Sequence, residues 1–141
     1  MVNNEKLTTC LTFKVVLSHE LTPILDLLYQ KANCCVKEML AHKELSSSKY
    51  YKTIPCVLAK GLISKYQRNK RIKMVSKLVL PICGDKGKQV KLVGNGIRVP
   101  AIFKKIIIQV IFPKPIVGYI RQVEFFKRNK KWFMSYSYNT P

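Results

Sequence analysis

The chain has 141 residues, 48% of them hydrophobic, with only six Gly and seven Pro, and a formal net charge of +19. That is enough apolar material for one folded unit spanning residues 1–141, and it excludes a disordered basic tail. No apolar run approaches the ~18 residues of a membrane span and nothing resembles a secretory signal, so a soluble, cytoplasmic protein with no membrane association is expected.

The charge is unevenly spread. Up to Glu44 five basic residues balance five acidic ones, whereas Leu45 to Pro141 holds 21 Lys and Arg against Asp85 and Glu124 alone. A folded body with such self-repulsion calls for a polyanionic partner, and the phosphate backbone of a nucleic acid is the simplest one. Lys outnumbers Arg by 21 to five. That ratio favours contact with phosphates or shape over base-by-base readout, although an AT-rich genome produces it equally well.

From Leu7 to Leu17, apolar residues at every second position predict a strand with one buried face. The period then changes. Thr22 reads as an N-cap before Pro23, and Leu21, Ile24/Leu25, Leu28, Ala32, Cys35/Val36 and Met39 continue at helical spacing to about His42. Leu45 to Lys52 is a polar connection. A second helix is expected from about Thr53, with Pro55 in its first turn and Leu58, Leu62 and Tyr66 as its apolar stripe.

Beyond Lys77 the pattern turns to short strands: Lys77 to Ile82, Gln89 to Val93, Ile97 to Ile102, Lys104 to Phe112, Tyr119 to Lys127 and Trp132 to Tyr138. The separators are rich in Gly, Pro and Asn, among them Gly94-Asn95-Gly96 and Arg128-Asn129-Lys130. The last two strands read as a hairpin. The order of elements fits an α+β fold: a small antiparallel β-barrel of wedge or OB-like type, with strands at about 7–17 and 77–138. A two-helix insertion at about 20–75 follows the first strand.

Two basic clusters stand out. Lys60, Lys65, Arg68, Lys70, Arg71, Lys73 and Lys77 lie in a stretch with no carboxylate between Glu44 and Asp85. An ordinary solvated helix mixes both signs and gains i, i+4 pairs, and this one forgoes them. Lys127, Arg128, Lys130 and Lys131 crowd the tip of the predicted hairpin, where they could straddle a phosphate backbone. Tyr50, Tyr51 and Trp132 are candidates for base stacking. For Trp132 the bland reading, a core or rim residue, is the stronger of the two.

Catalysis has little support. His19 and His42 flank the first helix, no Ser or Cys has a nucleophile-elbow context, and Gly94-Asn95-Gly96 is a turn and not a phosphate loop. The five cysteines (Cys10, Cys34, Cys35, Cys56 and Cys83) form no C-x-x-C pair, so no metal site and no cofactor is expected.

Leu21-Thr22-Pro23 opening a helix that contains Asn33 resembles the start of the TnpB-type RNA-guided nucleases of insertion sequences. Ile97-Arg98-Val99-Pro100, Gly118-Tyr119-Ile120-Arg121 and Lys130 to Tyr136 are similar to strands that close the wedge barrel of that family. The chain departs from the family where a RuvC-like domain would follow Tyr138, and it has no D-x-G-type carboxylates for the two-metal chemistry of such a nuclease. The resemblance implies the wedge barrel and recognition helices without the nuclease, parts that in the family bind guide RNA and the duplex beside the target.

The expected function is thus non-catalytic binding of structured RNA or duplex DNA. Two alternatives stay open. One is an interaction or assembly protein of a mobile element that acts on a protein partner from a transposon or CRISPR-like system. The other is a small DNA-binding regulator.

Overall fold

Two adjacent residues in the left-handed region, Asn129 (φ 51°) and Lys130 (φ 65°), close the longest hairpin among the described residues. Positive φ at both central positions gives the tight turn whose twist matches the strands it joins. The computed structural model describes residues 9–42, 46–68, 72 and 77–141. The strands of this hairpin are β6 (Val117–Arg128) and β7 (Lys131–Thr140), in register from Arg128↔Lys131 outward. The register slips between Val117 and Gln122, around Gly118 at φ 85°.

The first strand, β1 (Thr9–Val16), pairs with the far side of β7, and β2 (Leu80–Cys83) pairs with β6, so the sheet runs β1-β7-β6-β2 and is antiparallel throughout. Alternation sends Trp132, Met134, Tyr136 and Tyr138 to one face together with Ile120, Val123, Phe125, Leu80 and Ile82, all of them buried. This face is the floor of the core. The expected strand from Leu7 to Leu17 is β1, which ends at Val16, one residue before Leu17; Leu7 and Thr8 lie outside the described residues.

Between β1 and β2 the chain forms α1 (Thr22–Ala41) and α2 (Cys56–Leu62), the latter continued by a wider π turn over Ile63–Gln67. The boundaries of α1 match the periodicity, but its start differs in detail. Ser18 caps a 3₁₀ turn over His19–Leu21, and Thr22 is already helical, with Pro23 behind it in the first turn where no N–H is missed. Pro55 precedes α2 as its cap and does not lie within its first turn. Leu25, Ala32, Val36 and Met39 carry α1 into the core, where the Tyr29 ring meets Trp132 edge-on at 5.8 Å. Along one apolar side, α2 buries Leu58 and Leu62, its π turn buries Tyr66, and α2 packs on β2.

A second sheet holds β3 (Lys91–Val93), β4 (Gly96–Arg98) and β5 (Ile107–Gln109). The expected strand from Ile97 to Ile102 ends at Arg98, because Pro100 has no N–H for a ladder and its fixed φ favours a helical turn. That turn is α3 (Pro100–Phe103), closed by Phe103 N–H donating to the Val99 carbonyl at 2.9 Å. Phe103 then packs edge-on against Phe125 at 5.6 Å and ties the small sheet to the large one.

The fold is therefore mixed α and β, with antiparallel sheets and helices inserted after the first strand. The described strands form two open sheets; no closed barrel is found among them. No helix among the described residues is long and apolar enough to cross a membrane.

Candidate nucleic-acid interface

The hairpin tip and the segment entering β2 meet at one place. Lys77, Lys127, Arg128 and Lys130 line a single cleft of about 480 Å³ with Asp26, Tyr29 and Leu78. Hydrogen bonds fix this meeting. Tyr29 Oη accepts the Leu78 backbone N–H at 3.2 Å, and Tyr66 Oη accepts that of Val79 at 2.9 Å, so two helices hold the chain beside the hairpin just before it enters β2. Burial raises the Tyr66 pKa.

Asp26 is the counter-charge. Its Oδ1 accepts from Lys127 Nζ at 2.9 Å and from Trp132 Nε1 at 2.9 Å. The Lys127 bond, followed by the indole bond, holds the Asp26 carboxyl below the usual carboxylate range. Lys127 is thus paired with a carboxylate, and it is exposed along with Lys77, Arg128, Lys130 and Lys131.

The helical part of the basic segment takes a different position. Lys60 and Lys65 line a groove of about 800 Å³ between α2 and the sheet, with Pro81, Gln122 and Ser137 below them. Lys65 Nζ is bonded to Glu124 Oε2 at 2.9 Å. The carboxylates that seemed absent from the basic stretch therefore arrive from distant segments, Glu124 onto Lys65 and Asp26 onto Lys127. Arg68 is exposed at the end of the π turn, whereas Lys70, Arg71 and Lys73 lie outside the described residues.

The stacking candidates divide differently from expectation. Trp132 is 1% exposed, its ring packed against Tyr29, so it is a core residue with no face for a base. Tyr50 is buried too, its hydroxyl donating to Glu38 at 3.5 Å, where Lys49 also bonds; Tyr51 is half-buried. Burial at these positions follows from the apolar clusters that the helices close over.

Arg121 enters the sequence reading only within the Gly118-Tyr119-Ile120-Arg121 segment and not as a binding residue. It lines the groove opposite Lys60 and Lys65, and the register slip after Val117 is what turns it there, a feature invisible without the pairing of β6 and β7.

Among the described residues no group of three or more His, Cys, Asp or Glu is placed to hold a metal ion. No family model matches the chain, and no curated protein shows significant similarity to it.

Proposed function

We propose that the chain is a non-catalytic nucleic-acid-binding protein that grips the phosphate backbone of structured RNA or duplex DNA with its hairpin tip and the segment beside it. The observation that carries this reading is the convergence of Lys77 with Lys127, Arg128 and Lys130 on one cleft, where Asp26 is the one carboxylate among the described lining residues. Two segments distant in sequence bring cations together there against Coulomb repulsion. Proteins tolerate such a cluster where a polyanion offsets it.

The wedge-type architecture implied by the resemblance to TnpB-type nucleases belongs to the same proposal. In this reading the two open sheets are halves of one barrel-like body, joined at the Phe103–Phe125 contact and not by a continuous ladder.

The test is a salt titration of binding to a labelled RNA hairpin and to a DNA duplex. Neutralising about 6–10 phosphates weakens affinity roughly 10³–10⁵-fold between about 50 and 200 mM salt. A flat response, or no binding at low salt, overturns the proposal.

A further inference from the structure

The face of the large sheet turned away from the core carries an aromatic pair that the cleft does not use. Phe126 and Phe133 are opposite each other in the register of β6 and β7, two residues from Arg128 and Lys131 on either side of the turn. Their rings stack at 5.5 Å with an angle of 11°. Both are half-exposed and neither belongs to the core cluster or packs against it. Two cations lie over the Phe126 ring, Arg128 with its guanidinium carbon at 5.1 Å and Lys14 Nζ at 5.7 Å. Aromatic rings on the open face of an antiparallel sheet, rimmed by flexible cations, form the arrangement on which unpaired bases stack while their phosphates meet the charges.

The same face continues from the rings into the groove beside α2. Gln122, Ser137 and Thr12 share one row across β6, β7 and β1, with Thr12 Oγ1 and Ser137 Oγ bonded at 2.8 Å. Gln122 and Phe126 are four residues apart on one strand, so about 13 Å separates this polar row from the ring pair, and the row between them holds the buried Ser135 and Glu124, which is paired with Lys65. Each hydroxyl keeps unused hydrogen-bonding capacity, and the Gln122 amide offers both a donor and an acceptor. Hydroxyl and amide groups beside a stacking platform suit the ribose 2′-OH, the group that separates RNA from DNA.

We infer that this face binds an unpaired stretch of RNA, with bases stacked on Phe126 and Phe133, phosphates on Lys14, Arg128 and Lys131, and ribose hydroxyls over the Thr12–Ser137–Gln122 row. In the free chain Arg128 and Lys14 cover the Phe126 ring. A base enters by sliding between ring and guanidinium, which moves the cations outward onto the phosphates. The inference rests on the reading that the protein binds nucleic acid, and it adds a base-contacting surface that adjoins the cleft at Lys77 and shares Arg128 with it.

The test uses the full chain with three probes: a labelled uridine oligomer of about twelve nucleotides, its deoxy counterpart and a DNA duplex. Phe126→Leu and Phe133→Leu keep apolar bulk but remove the ring, and their folding is checked by circular dichroism and thermal melting. Each substitution is expected to weaken binding to the uridine oligomer about 5- to 150-fold while leaving duplex binding within about twofold. The wild-type chain should also favour the uridine oligomer over its deoxy counterpart. Equal loss on the duplex, no loss on the uridine oligomer, or a preference for the deoxy strand overturns the inference.

Ultraviolet cross-linking of the wild-type protein to the uridine oligomer serves if the variants fold poorly. Adducts on the peptides holding Phe126 and Phe133 support the inference, and adducts confined to other segments overturn it. A wild-type chain that binds the duplex in a salt-dependent manner but not the uridine oligomer sinks this inference and leaves the proposed function standing. Binding to none of the probes removes both.

Discussion

Asp26 accepts the indole N–H of Trp132 at 2.9 Å and so fastens the first turns of α1 to the first residues of β7. The same oxygen takes Lys127 Nζ at 2.9 Å, which makes one carboxylate both a structural tie and a brake on the charge of the hairpin tip. Asp26→Asn removes the charge and leaves a weaker acceptor for the indole. Because the folded carboxyl titrates below its unfolded value, its contribution is fully present at neutral pH, above about pH 4. It is lost as pH falls through the folded value. Urea denaturation across pH should therefore find the variant about 1 kcal/mol less stable near neutrality, with the gap closing below about pH 4. With Lys127 released, the salt dependence of nucleic-acid binding should steepen by up to about 0.9 in the log–log slope. An unchanged gap at low pH would show that the carboxylate charge is not the stabilising element.

Lys130 sits at φ 65°, a conformation that usually belongs to Gly or Asn. Its backbone strain and its charge pull in opposite directions. Lys130→Gly should relieve the strain, offset in part by the greater freedom of Gly in the unfolded chain, for a net gain of about 0.5–1 kcal/mol and a melting temperature a few degrees higher. Affinity for RNA or DNA should fall as one phosphate contact is lost. A more stable and weaker-binding variant is the signature of strain kept for function. A variant that is stabilised but binds as well as wild type would place Lys130 outside the interface.

The hairpin, the first strand and the extent of α1 were legible from periodicity, because β1, β7 and α1 each turn one regularly spaced stripe inward, whereas the register slip in β6 between Val117 and Gln122 was not. Phe126 and Phe133 were missed for a geometric reason. Taking Arg128-Asn129-Lys130 as the separator hides the symmetric placing of the two rings about a two-residue turn, and only that turn puts them side by side. Pro100 was the readable sign that the strand starting at Ile97 would break. The pairing of Lys65 with Glu124 and of Lys127 with Asp26 was not readable at all, since it depends on which distant segments the fold makes neighbours.

Trp132 separates a packing role from a binding role. The side chain is buried, donates to Asp26 and fills the space against Tyr29. Trp132→Phe should cost about 2–3 kcal/mol from lost volume and the lost hydrogen bond. Denaturant titration reads that cost directly, and nucleic-acid affinity of the folded variant should stay within about twofold. Collapse of affinity with stability intact would return Trp132 to the interface.

Charge reversal with a matched control tests where the surface lies. Lys77→Glu combined with Lys130→Glu changes the net charge by four units at the cleft. Lys31→Glu combined with Lys37→Glu makes the same change on α1, where both lysines are exposed and remote in sequence from the hairpin. If attraction were a property of net charge alone, both doubles would weaken binding equally, because long-range steering depends on total charge. Contact at the cleft predicts otherwise. The cleft double should lose roughly ten- to a hundredfold in affinity and show a shallower salt slope, by about 1.8 for two lost phosphate contacts. The α1 double should slow association modestly at low salt, with its slope nearly unchanged. Polarisation titrations at several salt concentrations measure both quantities, and equal slopes for the two doubles would move the interface away from Lys77 and the hairpin tip.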